Sequence, residues 1–307
     1  MSIILHAIFP IILLLGLGNI LRRLNFVTAE FWRASDKLTY YVLFPGLLIS
    51  KMADIDIART PFTPVFGFLS GYFIIMSLMA YGIYRFCRCR PAQLSSVYQG
   101  IIRFNSYIYF ALVEALWGTD SLGYAAILAG LVIPIVNVCC VSSFFVGKGA
   151  FSWRLLLQSL AINPLIIGVI LGFIINQYPI LMPRIGMQSL EILGNAALPL
   201  ALLSVGAALK IKRLWQPFEG FSLTSIWLTT LGKLVIAPSV AYLLVWALGI
   251  DPFTGQLLIL LTAIPTATAA YILAKQLKGD ADMMVVIISL QTITAIATLT
   301  FWLAMII

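Results

Sequence analysis

An arginine, an asparagine and a serine follow one another inside a long apolar stretch of the sequence. Arg103, Asn105 and Ser106 lie within the segment 94–117, which is otherwise largely apolar. An arginine near the middle of a membrane helix costs at least about 2.5 kcal/mol, so it usually lines a cavity or pairs with an acid. A guanidinium offers a planar set of donors that suits carboxylates. The pattern predicts an anion-binding site; pairing with a buried acid or reaching toward the membrane interface are the alternatives.

Two further ionisable residues lie within apolar stretches. Glu114 follows Arg103 in the same segment and is a candidate proton site, with a position in an outer vestibule as the alternative. Lys233 lies within 222–248, where structural pairing and a substrate role fit equally well. Ionisable residues at such positions often mark ion or substrate pathways.

A proline surrounded by small and hydroxyl side chains marks a second candidate site. Pro265 removes a backbone donor and frees a carbonyl, and Thr266 and Thr268 follow it closely. An interrupted helix is tolerated at membrane depth only where it is buried or lines a wet cavity. The N-terminal end of a half-helix attracts anions. We expect these three residues to contact a substrate; a kink that serves packing is the alternative.

Two amides lie in other apolar stretches. Asn137 and Gln291 have side chains that can hydrogen-bond the broken helices or a ligand. Contacts between helices are the more common use of such residues in membranes. Both are counted among the predicted substrate-binding residues.

The composition places these residues in a membrane protein. Of the 307 residues, 62% are hydrophobic and only 10% are charged, and the mean hydropathy is +1.04. A soluble domain has about 25% charged residues. About 20 apolar residues are needed to cross a bilayer. We predict a single membrane domain with ten spans, at about 3–21, 36–53, 64–85, 94–117, 121–146, 155–175, 189–209, 222–248, 254–274 and 282–306.

The basic residues give the chain an orientation. Most of the 19 lysines and arginines fall in alternate loops between the predicted spans. Because cytoplasmic loops are enriched in lysine and arginine, both termini are expected on the outer, periplasmic side of a cell inner membrane. This distribution also accounts for the net charge of +8 without a nucleic-acid partner.

Catalytic and metal-binding motifs are missing from the sequence. There is no phosphate-binding loop, no nucleophile elbow and no paired-histidine or Asp-rich metal motif. The four cysteines form two close pairs without a nearby histidine, which indicates reduced thiols rather than metal ligands. The sequence therefore predicts neither an enzyme nor a metal or organic cofactor.

Two halves of the sequence share a pattern. A shift of 154 residues pairs Pro10 with Pro164 and Pro45 with Pro199. Ten spans divide into five and five, and an odd number in each half inverts the second half in the membrane. Inverted repeats with interrupted helices are typical of secondary transporters. We predict one repeat at about 1–147 and a second at about 154–307.

Several short motifs resemble the auxin efflux carrier family, and the likeness extends over nearly the whole chain. They are Phe9-Pro with Leu17-Gly-Asn-Ile-Leu-Arg-Arg23, then Tyr40-Tyr-Val-Leu-Phe-Pro-Gly-Leu-Leu47, Ile162-Asn-Pro-Leu-Ile-Ile-Gly168, Leu198-Pro-Leu-Ala-Leu-Leu-Ser-Val-Gly206 and Pro265-Thr-Ala-Thr-Ala-Ala-Tyr-Ile-Leu-Ala274. The short central loop is similar to that of the bacterial malonate and malate permease-like branch.

The resemblance implies a fold and an assembly. Helices 1, 2, 6 and 7 are expected to form a scaffold, often a homodimer interface, and helices 3–5 and 8–10 a transport domain. Helices 4 and 9 are expected to be broken and to cross near the substrate. Arg103 and Asn105 match the family's helix 4 pattern, but Tyr109 and Ala111 stand where it has glycine and proline. A less sharp break is therefore expected in helix 4.

These observations lead to one prediction of function and several alternatives. The chain is predicted to carry small organic anions, such as malonate, malate or auxin-like acids, by elevator-type alternating access. Coupling to H⁺ or Na⁺ is possible, with Glu114 as the proton site. A bile acid–sodium symporter-like carrier, a channel or a sensory membrane subunit are the alternatives, and a membrane enzyme ranks last.

Overall fold

The computed structural model describes residues 2–145, 153–216 and 220–307, and these ranges contain helices and no β-strand. The predicted all-α class is confirmed. In chain order the helices are α1 (Ser2–Arg23), α2 (Ala29–Leu38), α3 (Phe44–Ala53), α4 (Phe62–Phe86), α5 (Pro91–Ile102), α6 (Ser106–Trp117), α7 (Leu122–Ser143), α8 (Trp153–Ala161), α9 (Pro164–Gln177), α10 (Arg184–Ala208), α11 (Leu223–Leu231), α12 (Ala237–Ala247), α13 (Pro252–Ala263), α14 (Ala269–Gln276) and α15 (Ala281–Ile306).

Six helical stretches in the described residues are long and apolar enough to cross a membrane without interruption. They are Ile3–Arg23, Phe62–Phe86, Thr119–Ser143, Arg184–Trp215, Leu223–Ala247 and Ala281–Ile306. A bilayer-spanning helix needs about 20 residues at a rise of 1.5 Å each. The chain is therefore a multi-pass membrane protein.

The other four predicted spans consist of shorter helices. Span 36–53 begins in the charged helix α2, span 94–117 is divided between α5 and α6, span 155–175 between α8 and α9, and span 254–274 between α13 and α14. None of them forms one long apolar helix, although α9 and α13 are short apolar helices. The count of ten spans stays a prediction.

Two helices contain a π-helical segment, and both segments have the same position relative to a proline. The segment Thr39–Leu43 joins α2 to α3, and Gly232–Ile236 joins α11 to α12. Each begins six residues before a proline, Pro45 or Pro238. A proline removes the bond to the carbonyl four residues earlier and its ring crowds that carbonyl. A wider turn before each proline accommodates this, and such π-bulges occur frequently at functional sites.

The chain divides into two compact units. The first unit comprises Met1–Thr60, Ser106–Ile135 and Arg154–Ala208, and the second comprises Pro61–Asn105, Val136–Trp153 and Leu209–Ile307. The first contains α1–α3, α6, α9 and α10, and the second contains α4, α5 and α11–α15. The predicted division into scaffold and transport helices stays a prediction.

Within the first unit, two glycines bring α1 and α10 together. A Cβ atom on Gly18 would lie 2.0 Å from the carbonyl oxygen of Leu203, and one on Gly206 would lie 2.0 Å from that of Leu15. Small residues allow such close approach between membrane helices. The backbones of α1 and α10 are therefore in direct contact.

The predicted repeat relates this contact to another in the same unit. Gly18 packs on Leu203, whereas Gly172, which is 154 residues after Gly18, packs on Ile49, which is 154 residues before Leu203. The shift therefore exchanges the two partners, as repeats related by a two-fold axis require. This exchange supports the inverted repeat, which stays a prediction.

Candidate functional site

Two helices of the second unit end at interruptions in predicted spans. Helix α5 ends at Ile102, and the chain is non-helical until α6 begins at Ser106. Helix α13 ends at Ala263, and α14 begins at Ala269. The expectation of a less sharp break in helix 4 was wrong: the helix is fully interrupted although no proline follows Arg103 closely.

Backbone hydrogen bonding explains why helix 4 breaks without a proline. The Asn105 N–H donates to the Pro265 carbonyl oxygen at an N···O distance of 2.8 Å, so the two interruptions are in direct contact. An unpaired buried backbone donor is costly. Asn105 is only 2% exposed, and its N–H is satisfied by a carbonyl of the other interruption. The crossing of helices 4 and 9 stays a prediction.

Side chains from two other elements satisfy the carbonyl of Gly100 at the end of α5. That oxygen accepts the Thr266 hydroxyl at 2.9 Å and the Gln291 Nε2 at 2.8 Å. The Gln291 Oε1 in turn accepts the Thr266 N–H at 3.0 Å. Thr266 and Gln291 are both fully buried. Two predicted substrate residues therefore hydrogen-bond the broken helices, which is the alternative that the sequence left open for Gln291.

Arg103 lies at the break itself, as the C-terminal cap of α5. Its Nη2 donates to the Asn137 Oδ1 at 3.2 Å, and its Nε is buried without a hydrogen-bond partner among the described residues. None of the ion pairs between described residues includes Arg103. A half-buried guanidinium held by an amide rather than a carboxylate keeps its charge available for an anion.

Lys233 is a second basic residue in the interior of this unit. It lies in the π-helical segment Gly232–Ile236 and is 1% exposed. Pro238 leaves the Leu234 carbonyl without its helical donor, and the Trp302 Nε1 donates to that oxygen at 2.9 Å. Cys140 lies within electrostatic range of both Lys233 and Arg103. The two cations therefore share one region of the unit.

Gln99 is a polar residue that the sequence reasoning missed. It is completely buried, and neither its Oε1 nor its Nε2 has a partner among the described residues. It precedes Arg103 by one helical turn, so both side chains leave α5 on the same face. The spacing of four residues between Gln99 and Arg103 was the available signal.

The remaining predicted site residues do not all lie in this unit. Ser106 and Glu114 belong to α6, in the first unit, where both are partly exposed. Thr268 precedes α14 as its N-terminal cap residue and makes no side-chain capping bond. The structure therefore brings Arg103, Asn105, Asn137, Pro265, Thr266 and Gln291 near one another in the second unit, and their role in substrate binding stays a prediction.

The opposite end of α5 is anchored by another polar group. Gln93 donates to the Gly220 carbonyl at 2.7 Å and to the Asp280 carboxylate at 3.2 Å. Arg90 also bonds Gly220 and lies 3.9 Å from Asp280. A shallow cleft of about 450 Å³ lies beside this group, and no predicted substrate residue lines it. This cluster therefore fixes the start of α5.

Metal binding finds no support in the described ranges. No group of three or more histidine, cysteine, aspartate or glutamate side chains there is arranged to hold an ion. Burial raises the pKa of the Cys87 and Cys89 thiols, which lie just beyond the end of α4, so less thiolate forms there at neutral pH.

Comparison with known proteins identifies a family. A family model described as membrane transport protein matches residues 150–303, slightly more than half of the chain. A comparison with curated proteins gave no match. The matched residues include the second interruption and Pro265, Thr266, Gln291 and Lys233. The chain belongs to the membrane transport protein family, the auxin efflux carrier family that its motifs resemble, and it is a membrane transporter.

Proposed function

We propose that this chain is a secondary active transporter of small organic anions, in particular carboxylates. The observation that carries the proposal is Arg103: a half-buried guanidinium at a helix break, without a carboxylate partner among the described residues. A cation in that position is stabilised when an anion enters with it. Family membership supplies transport as the activity.

In this proposal the residues of the site have two kinds of role. Arg103 binds the carboxylate, and Asn137 holds the guanidinium in place through its amide oxygen. Thr266, Gln291 and Asn105 keep both helix ends open by bonding backbone groups that would otherwise be unpaired. Pro265 ends α13 and provides the carbonyl that Asn105 needs. Thr268, at the start of α14, is proposed to contact the substrate.

The mechanism belongs to the same proposal. Alternating access of the elevator type, with the second unit carrying the anion, is consistent with a site whose residues lie almost entirely in that unit. Glu114 is the proposed proton site of a cycle coupled to H⁺, and coupling to Na⁺ is the alternative. It interacts electrostatically with Lys51 in the first unit. A homodimer and the predicted membrane orientation complete the proposal.

The test is transport by purified protein in liposomes. Wild-type protein is expected to give saturable uptake of a labelled carboxylate and accelerated exchange when unlabelled carboxylate is inside. Arg103→Ala should reduce uptake about 100-fold, because a charge-assisted bond to the substrate is lost. Arg33→Ala is the matched control, since Arg33 is an exposed arginine paired with Glu30 at 2.9 Å. Normal uptake by Arg103→Ala contradicts the proposal.

A further inference from the structure

The second unit contains a buried lysine that forms no ion pair with any residue the structure describes. Lys233 is 1% exposed, and no ion pair includes it among the described residues. An ammonium group in such surroundings is costly unless a counter-ion and hydrogen-bond partners are present. A counter-ion from outside the chain removes this cost.

The described helices that pack around Lys233 carry almost no charge. Helices α5, α11, α12, α13 and α15 all pack against the π-helical segment that holds Lys233. Between them these five helices contain one charged residue, Asp282, in the first turn of α15. Trp302, which bonds the carbonyl next to Lys233, lies 20 residues further along α15, or about 30 Å at the usual rise. Asp282 is therefore far from Lys233.

The other groups around this region are donors or weakly polar. Arg103 carries a second positive charge and has a buried Nε without a partner among the described residues. Gln99 has two unsatisfied amide atoms at 0% exposure. Cys140, which interacts electrostatically with Arg103 and Lys233, has only a weakly polar thiol side chain. Each unsatisfied buried polar group in a native protein calls for a partner such as an ion, water or ligand.

We propose that Lys233 is a second cationic ligand of the transported anion, and that this anion carries two carboxylate groups. The inference rests on the proposed function. Arg103 binds one carboxylate, Lys233 binds the other, and the Gln99 amide N–H donates to the anion between them. A dianion neutralises both cations at once, whereas a monoanion leaves one charge buried without a counter-ion.

Binding of matched ligands to the wild-type protein tests how many carboxylate groups the bound anion carries. Malonate and succinate are each compared with their own monomethyl ester, which has the same skeleton and one carboxylate fewer. Dissociation constants are measured by calorimetry on the purified full-length protein. Each diacid should bind about 10- to 100-fold more tightly than its half ester, the range expected for one charged hydrogen bond.

Two substitutions then test the residue. Lys233→Gln should bring the diacid and half-ester affinities to within about threefold of each other, while Lys233→Arg keeps the diacid preference. Without ligand, Lys233→Gln should melt at or above the wild-type temperature, since it removes an unpaired buried charge. Lys51→Gln is the control, because Lys51 is a cation paired with Glu191 in the first unit.

The outcomes separate this inference from the proposed function. Equal wild-type affinities for a diacid and its half ester, or a Lys233→Gln variant that retains the preference, overturn the role of Lys233 and leave the carboxylate transporter standing. A wild-type protein that binds neither class of ligand overturns both. A Lys233→Gln variant that melts well below wild type indicates a structural lysine and contradicts the proposal.

Discussion

The two units treat their buried polar groups differently. In the first unit, Lys51 is 18% exposed and pairs with Glu191 at 3.4 Å, and the Asn176 amide donates to the carbonyls of Met52, Ala53 and Ile55. In the second unit, no described acid pairs with Lys233, and the Arg103 guanidinium donates to the Asn137 amide oxygen. Among the described residues, the first unit therefore pairs its partly buried lysine with an acid, whereas the second unit pairs neither Arg103 nor Lys233 with one. This difference is what the proposed binding of an anion in the second unit would require.

The helices are also held together in different ways. In the first unit, α1 and α10 are in backbone-to-backbone contact at Gly18 and Gly206. In the second unit, side chains from distant parts of the sequence satisfy the ends of interrupted helices, as Gln291 does for Gly100. Close packing brings the backbones of the first unit together, while side-chain bonds in the second unit satisfy backbone groups that the helix breaks leave unpaired.

The largest expected effect on stability is in the first unit. Gly18→Ala places a Cβ where only 2.0 Å separates it from the Leu203 carbonyl oxygen, so α1 and α10 must move apart. We expect a loss of about 3 kcal/mol in the free energy of unfolding, measured by denaturant titration in detergent. Gly16→Ala is the matched control on the same helix, since a Cβ there meets nothing within 4 Å. Equal effects of the two substitutions would show that this contact does not hold the unit together.

A smaller effect is expected when the helix break in the second unit is altered. Gln291→Leu removes one donor to the Gly100 carbonyl and leaves the Thr266 N–H without its acceptor. The cost is about 2 kcal/mol, because a buried backbone group becomes unsatisfied. Uptake should fall as well, since Arg103 follows this turn directly.

The control for this substitution is Thr298→Val on the same helix. The Thr298 hydroxyl bonds only its own helix, at a long 3.5 Å, so its loss should change stability by less than about 0.5 kcal/mol. If Gln291→Leu proved as mild as Thr298→Val in both stability and uptake, the broken helix ends would not depend on this glutamine.

Trp302→Phe tests the support of the segment that holds Lys233. It removes the donor to the Leu234 carbonyl, which Pro238 leaves without a helical partner. The free energy of unfolding should fall by about 1 kcal/mol, the usual value of one hydrogen bond. Trp246→Phe is the control, because that indole is 80% exposed. Identical melting curves for the two variants would contradict a supporting role for Trp302.

The smallest expected effect concerns the cysteines, all four of which belong to the second unit. Burial raises the pKa of the Cys87 and Cys89 thiols, and the neighbouring Cys87 further raises that of Cys89. A raised pKa leaves less thiolate at neutral pH, so maleimide labelling should be slow there and accelerate as the pH rises. Mass spectrometry on Cys87→Ser and Cys89→Ser variants assigns each site. Rates that do not change between pH 7 and 9 would contradict the raised pKa values.

The sequence contained part of this picture in local patterns. The composition and the length of the apolar stretches were sufficient to predict an all-helical membrane protein. Pro265 and the neighbouring Thr266 and Thr268 marked the second interruption. The break after Ile102 was harder to predict, because the carbonyl that accepts the Asn105 N–H belongs to Pro265, far away in the sequence. Its cause is tertiary, so no local residue type could reveal it.

The candidate site shows the same limit. Arg103 stood out because an arginine is costly in an apolar stretch, and Lys233 stood out for the same reason. The sequence could not reveal whether either had an acid partner, since that depends on which helices pack around them. Gln99 was not singled out from the sequence, where its spacing of four residues from Arg103 was the available signal, and its burial without partners among the described residues is visible only in the structure.

The most direct test of the central claim is ligand binding at Arg103. Thermal unfolding of the purified protein is followed with and without a panel of small carboxylates, for wild type and for Arg103→Gln. Binding to the native state raises the melting temperature by mass action. We predict that at least one carboxylate stabilises the wild type and that Arg103→Gln, folded and inserted, loses this stabilisation. Stabilisation that persists in Arg103→Gln would contradict the account, because the anion would then bind elsewhere.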